Sequence, residues 1–239
     1  MRTLFLIYQW CVALPLLVAV TLLTALASTI GGLFDKDWWG YYPPKWWSRC
    51  FCFLLGVRVR VTGRENINRD TPYIFVANHQ GAFDIFALSG YLNHPFKWMM
   101  RRGLTNIPLV GTACRTVGYV MVDPHDIKLT KQQAEAALGR GQSLAIFPEG
   151  RRTDDGTMGT FKPGAFHLAA EFNRPIVPIS IDGAYKVMPR NAVNVTPGTI
   201  NITIHEPIIP SEQGHDLTSL ATQCRDAIAG ALLPTTLSQ

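Results

Sequence analysis

The spacing of hydrophobic and polar residues changes several times along this chain, and those changes mark out its elements. From Thr3 to Phe34 no residue is charged, and Gln9 alone is strongly polar. A run of that length is enough to cross a bilayer, for which about 20 apolar residues suffice. Pro15 and the pair Gly31-Gly32 leave two shapes open, a spanning helix or a helical hairpin within one leaflet. Ala25-Leu26-Ala27 has the small-x-small form of a signal cleavage site. The apolar run ahead of it exceeds the usual signal core of about 7–15 residues, which favours a retained segment.

Beyond the aromatic stretch that follows, strand and helix periods alternate. Val57 to Val61 places apolar and basic residues in turn, as a half-buried edge strand would. Tyr73 to Ala77, Ser143 to Phe147 and Ile176 to Ile181 are compact apolar runs suited to buried strands. Phe96 to Met99, Tyr119 to Val122 and Ile200 to His205 add further strand candidates. Helical spacing is expected over Ala82 to Leu92, Ile127 to Leu138 (ended by Gly139 and Gly141) and Gly164 to Phe172. Asp216 is a candidate cap for a last helix whose apolar face is Leu217, Leu220, Ala221, Cys224, Ala227 and Ile228. Arg101 to Val117 carries no clear period. The pattern predicts an α/β fold, a central and largely parallel sheet flanked by helices, preceded by an N-terminal membrane-associated helical segment. Three regions result: a membrane segment (1–34), an aromatic and basic interfacial segment (35–56) and an α/β domain (57–239).

Composition agrees with this division. Of the 239 residues only 16% are charged, where about a quarter is usual for a soluble protein. "DKDWWGYYPPKWW" sets Trp38, Trp39, Tyr41, Tyr42, Trp46 and Trp47 around Lys36 and Lys45. Aromatic rings with polar edges favour the headgroup layer, and basic side chains there meet anionic lipid; an aromatic core cluster is the competing reading. The net charge of +5 suits an anionic membrane surface, and no basic stripe with a nucleic-acid reading motif accompanies it. Five cysteines, an odd number, with a C-x-C at Cys50 and Cys52 and no second ligand pair, fit reduced thiols better than zinc.

Candidate chemistry gathers where strands end. In "FVANHQGAFD" His79 follows a buried strand and Asp84 falls in the first turn of the next helix. A histidine takes a proton from a hydroxyl near neutral pH when its other ring nitrogen is held, and a carboxylate can hold it. No serine or cysteine lies within this motif, so the hydroxyl can belong to the substrate. "FPEGRRT" closes another strand with Glu149, Gly150, Arg151 and Arg152, and Lys162 follows in "FKPGAF". Glycine permits positive φ and close backbone approach, and the cations suit phosphate.

These blocks resemble the glycerolipid acyltransferase family typified by bacterial 1-acylglycerol-3-phosphate acyltransferase. The resemblance runs from about Gly63 to Pro210. "NHQGAFD" is similar to its N-H-x4-D block, which implies His79 as catalytic base and Asp84 as orienting acid. "RRGLTNIPLVG" resembles a basic block, putting the cation at Arg101 or Arg102. "FPEGRRT" resembles F-P-E-G-T-R-S, with Glu149, Gly150 and Arg152 at substrate-binding positions, and "IVPISI" resembles a fourth block centred on Pro178. Two positions depart: Asp123 is followed by Pro124 where arginine is usual, and Arg151 stands where threonine is usual. Either Arg151 replaces the missing cation or the acceptor is a different lysolipid.

The resemblance implies acyl transfer from acyl-CoA or an acyl carrier protein to the sn-2 hydroxyl of 1-acylglycerol-3-phosphate, giving phosphatidic acid. His79 would take the hydroxyl proton, and backbone amides, with Arg101 or Arg102, would meet the oxyanion. Arg151, Arg152 and Lys162 would hold the acceptor phosphate, while Glu149 positions the loop or an acceptor hydroxyl. The thioester is a cosubstrate, no metal or other cofactor is required, and the acyl chain needs an apolar slot near the membrane face. The expected location is the inner membrane, with the catalytic domain on its cytoplasmic side. Three rivals remain: an acyltransferase for an amino-acid lipid, a metal-dependent hydrolase using His79, Asp84 and Glu149, and a non-catalytic lipid-binding module. The hydrolase lacks a second histidine at ligand spacing. His94, His125, His167, His205 and His215 show no partner pattern and are expected to be structural or exposed.

Overall fold

The computed structural model describes residues 2–123, 125–210 and 217–232. In chain order it contains helices α1 (Arg2–Tyr8) and α2 (Leu14–Gly31), joined through a π-helical turn (Gln9–Ala13), then α3 (Lys36–Leu54), β1 (Val57–Thr62) and β2 (Ile74–Ala77). There follow α4 (Phe83–Tyr91), β3 (Phe96–Arg101), α5 (Val110–Thr116), β4 (Val120–Val122), α6 (Ile127–Gly139) and β5 (Ser143–Ile146). The remainder is α7 (Gly164–Glu171), β6 (Ile176–Asp182), α8 (Ala184–Val187), β7 (Gly198–Ile204) and α9 (Leu217–Ala231).

The seven strands form one sheet in the order β1-β7-β6-β2-β5-β3-β4. Five of them, β6, β2, β5, β3 and β4, run parallel; β7 is antiparallel to β6 and carries β1 parallel to itself at the edge. Because side chains alternate across a strand, the sheet feeds two cores. Phe75, Val177, Ile179 and Ile181 face α4 and the end of α3, with Ala13 and Leu17 of the N-terminal helix in the same cluster. Ile74, Val76 and Leu144 face the other way, against Leu138, Phe166, Cys224 and Ile228 from α6, α7 and α9. The fold is therefore the expected one, helices on both faces of a mostly parallel sheet. The Asp216 cap and His215 lie outside the described residues, but Leu220, Cys224 and Ile228 of the predicted last helix are buried.

The stretch without a clear period, after Arg101, holds a 3₁₀ turn (Arg102–Asn106) and then α5. Gly111 lets the two touch, since any Cβ there would collide with the carbonyl of Thr105.

The N-terminal region resolves into a hairpin of helices. Arg2–Gly31 is continuous and is long and apolar enough to cross a membrane by length and composition. The π-helical turn precedes Pro15, whose ring would otherwise strike the carbonyl one turn back. The one strongly polar residue of the run anchors it to the domain, because Gln9 is buried and its Oε1 accepts from the amide of Val195 at 3.1 Å. Trp10 beside it donates to Asn194 Oδ1 at 3.0 Å. Leu4, Ile7, Leu16, Leu23 and Leu26 are exposed along the same helix.

The aromatic stretch is a helix, capped by Asp35, whose Oδ1 accepts from the amides of Asp37 and Trp38 at 2.9 Å each. Pro43 and Pro44 sit inside it and remove the amides that would bond the carbonyls of Trp39 and Gly40. Neighbouring elements supply the missing donors. Ser28 Oγ donates to Trp39 O at 3.1 Å, and Tyr119 OH donates to Gly40 O at 3.1 Å. Trp38 and Trp46 are exposed, while Trp47 packs against Phe51 and Phe86. Lys45, expected among lipid headgroups, is instead buried, its ammonium bonded to Asn93 Oδ1 at 2.7 Å. Its position on the helix face toward α4, not its sequence neighbours, decides this.

Candidate active site

In a parallel sheet of this kind ligand sites form beyond the carboxyl ends of the strands. β2 ends immediately before Asn78 and His79, β5 before Phe147 to Gly150, β3 at Arg101, and β4 before Asp123. The topology thus brings the candidate blocks to one edge.

His79 and Asp84 meet as predicted: Nδ1 lies 2.8 Å from Asp84 Oδ2. Asp84 is fully buried, and the amide of Gly81 also donates to Oδ2 at 2.8 Å. Burial pushes this carboxyl up from its ordinary value, and the bonds from His79 and the loop amides oppose that push. The arrangement leaves His79 Nε2 for another partner. The ring itself stacks on Phe147, centroids 3.9 Å apart and planes within 7°, and Phe147 stacks in turn on Trp98.

The loop carrying His79 is fixed on both sides. Asn78, wholly buried, bonds both ways to the backbone of Ile181 on β6, at 2.8 Å in each direction. The amide of His79 donates to Glu149 Oε1 at 2.7 Å, and the amide of Thr153 donates to His79 O at 3.0 Å. Glu149 Oε2 accepts from the amide of Gly159 at 2.8 Å. Both oxygens of this buried carboxylate therefore hold backbone, tying the histidine loop to the loop after β5. Burial raises its pKa, and the two amides oppose the rise.

The cations form a rim of different character. Gly150 has φ of +72°, and Lys162 crosses it with Nζ 3.0 Å from where a Cβ would stand. Arg151 and Arg102 are exposed and already have carboxylates: Arg151 pairs with Asp154 at 3.7 Å, and Arg102 with Asp123 at 2.8 Å. That pairing, after the bond from the amide of His125, holds the Asp123 carboxyl below its ordinary value. Among the described residues Arg101, Arg152 and Lys162 form no ion pair. Pro124, the departure beside Asp123, lies outside the described residues.

Sequence reasoning missed three participants. The stack of Phe147 on His79 and the grip of Asn78 on β6 arise from strands distant in sequence, although both residues lie inside the motif blocks. Arg190, which no block contains, reaches the same loop through Asp154 at 2.9 Å. Of the other histidines, His94 is buried with its pKa lowered by that burial, and His205 bonds Ser180 Oγ at 2.7 Å.

A carboxylate-histidine pair with one ring nitrogen unbonded thus stands at a strand edge rimmed by cations. The sequence model of the family described as Acyltransferase matches residues 58–182, and the chain belongs to that family. It is 33% identical over 180 residues to a chloroplastic 1-acyl-sn-glycerol-3-phosphate acyltransferase of Arabidopsis thaliana, covering 73% of this chain and 49% of the relative. A 1-acyl-sn-glycerol-3-phosphate acyltransferase of Chlamydomonas reinhardtii is 31% identical over 237 residues, covering 96% of this chain and 69% of the relative. The chain thus spans about half the length of the Arabidopsis relative. The crystal structure of the 1-acyl-sn-glycerophosphate (LPA) acyltransferase PlsC from Thermotoga maritima superposes with a TM-score of 0.71 at 25% identity, covering 88% of this chain and 92% of that one.

Proposed function

We propose that the protein transfers an acyl group from a thioester, acyl-CoA or acyl carrier protein, to the sn-2 hydroxyl of 1-acylglycerol-3-phosphate, giving phosphatidic acid. The observation that carries this reading is the His79–Asp84 pair at 2.8 Å with Nε2 left free at the strand edge. The named activity of the relatives supplies the substrate class.

In this mechanism Asp84 accepts the Nδ1 proton of His79 as a hydrogen bond, so Nε2 is the basic nitrogen. Nε2 takes the proton of the acceptor hydroxyl as its oxygen attacks the thioester carbonyl. A C–O bond forms, and the carbonyl electrons move onto oxygen. When the intermediate collapses the C–S bond breaks, and the imidazolium returns its proton to the departing thiolate. Backbone amides at the loop and Arg101 or Arg102 stabilise the oxyanion, each such donor being worth about 3–4 kcal/mol. Arg152 and Lys162 bind the acceptor phosphate, with Arg151 available once it releases Asp154. Glu149 acts through the loop, because both its oxygens are occupied by backbone.

Support for the lipid side comes from a cleft of about 260 Å³ lined by Leu14, Leu17, Phe51, Leu55, Phe83 and Phe86. It runs between the N-terminal helix and the α3–α4 pair, and Ala82 of the histidine loop is part of its wall. An acyl chain laid there would approach the site from the side of the apolar helix. Ala13 and Leu17 belong to the domain's own core, which supports a retained N-terminal segment and a catalytic domain held at the membrane.

The test is acylation of lysophosphatidic acid by the purified protein with labelled acyl-CoA or acyl carrier protein, beside His79→Ala. Phosphatidic acid formed by the wild type, and lowered at least about a thousandfold in the variant, is the expected result. His79-dependent acylation of another lysolipid alone would overturn the acceptor. Equal turnover by both proteins would overturn the mechanism.

A further inference from the structure

Four cations gather around the carboxyl end of α4, at the end of the sheet away from His79. α4 starts at the histidine loop and has 9 residues, so its far end lies about 13 Å along the helix from that loop. Lys45 of α3 forms the floor, only 9% exposed, with Nζ on Asn93 Oδ1 at 2.7 Å and on Tyr41 OH at 3.3 Å. Arg49 donates to Gly90 O at 2.8 Å and lies over the rings of Trp46 and Tyr91. Arg64 donates to Tyr91 O at 2.6 Å and Leu92 O at 3.0 Å. Arg69, exposed in the turn before β2, is close enough for its charge to act on Lys45 and Tyr41.

None of the four has a carboxylate partner, for the six ion pairs among the described residues involve none of them. Glu65 and Asp70, their neighbours in sequence, form none either. The carbonyls at the end of α4 offset part of the charge, but a helix end carries only about half an elementary charge. Lys45 is the telling member: its partners are neutral, and the charges acting on it are those of Arg49, Arg69 and Arg64, all of its own sign. Burial first, and then those arginines, lower its pKa. A buried ammonium without a counter-ion is costly, and a neutral side chain would fill the same space without that cost.

We propose that Lys45, Arg49, Arg64 and Arg69 form a second oxyanion site, separate from the catalytic edge, that binds a phosphate group of the kind an anionic phospholipid carries. Arg64 and Arg69 are exposed, Arg64 gives one N–H of each terminal nitrogen to the carbonyls of α4 and keeps a second on each for a ligand, and Lys45 supplies charge from beneath. Trp46, 60% exposed and close to Arg49 on α3, provides a ring suited to headgroup depth. The site needs nothing from the reaction and would operate in a catalytically dead protein.

The test is native mass spectrometry of the full chain in detergent with phosphatidylglycerol or phosphatidylcholine of matched chains. The wild type should retain phosphatidylglycerol about tenfold better, the worth of roughly one charge-assisted hydrogen bond. Arg69→Gln and Arg64→Gln should each erase most of that preference. Arg152→Gln should leave it intact, separating this site from the catalytic rim. Lys45→Met should lose the preference without a lower thermal midpoint, which a merely structural lysine would not allow. If the wild type shows no lipid preference but inorganic phosphate raises its thermal midpoint and not that of Arg69→Gln, the site stands and its ligand is a soluble anion. Preference unchanged in Arg64→Gln and Arg69→Gln, or no response to either probe, overturns the proposal.

Discussion

The two halves of the candidate active site are built by opposite means. Around His79 the groups that set the ring are held from several sides: Asn78 grips β6, Glu149 holds two amides, and Asp84 sits fully buried against the ring, although its Oδ1 and Gln80 Oε1 have no partner. The cation rim is loose by comparison, with Arg151 and Arg102 exposed on surface carboxylates and Arg152 in no ion pair among the described residues. The contrast separates precision from attraction. A proton-transfer base must be set within a fraction of an ångström before substrate arrives, whereas a phosphate can draw flexible cations around itself.

Substitutions can break that contrast from either side. The largest effect is expected from Asp84→Asn, which removes the charge that fixes the His79 tautomer. Turnover should fall about a hundred- to ten-thousandfold with the KM for lysophosphatidic acid little changed, as steady-state kinetics would read. An unchanged rate would mean that the pair is structural. Arg152→Gln attacks the other half and should show the reverse split, KM rising about ten- to a hundredfold with a much smaller loss of kcat.

Glu149→Gln probes the scaffold between them. A glutamine offers one acceptor oxygen where two backbone amides point, so thermal or denaturant unfolding should show a loss of about 1–3 kcal/mol. The variant also has a pH signature. With its folded pKa raised above the ordinary 4.5, Glu149 makes the native state bind more protons than the unfolded chain in that window. Its contribution to stability therefore declines as pH climbs from the ordinary value through the raised one, and is level above it. Glu149→Gln should remove that part of the slope, and an identical slope in both proteins would show that Glu149 does not titrate there. The smallest effect should come from a chelator, because no step in the mechanism calls on a metal; acylation should be the same with and without it.

Much of this was legible in the sequence because the relevant signals are local. Tyr73 to Asp84 reads as strand, loop and helix from its own spacing, and the positive φ of Gly150 follows from a glycine between a strand's proline stop and two arginines. What escaped depends on contacts across the sheet. Nothing local distinguishes an aromatic ring that stacks on a histidine from one that fills the core, so Phe147 was invisible in that role. The sequence leaves Glu149 either positioning the loop or facing an acceptor hydroxyl, and only its bonds to the amides of positions 79 and 159 decide between the two. The region from Asp35 to Gly56 hid a helix because two consecutive prolines argue against one. Only the hydroxyls of Ser28 and Tyr119, far apart in the chain, make it tenable.

Those two prolines also bear on topology. As an isolated span in hydrocarbon, α3 would hold two bare carbonyls in its first turns, at Trp39 and Gly40, and the bilayer interior has no donor to offer them. One of the donors, Tyr119, belongs to the catalytic domain itself. Whatever depth α1 and α2 reach, α3 is thereby bound to the compartment in which that domain folds, and the hairpin carries a built-in sense of which side is home.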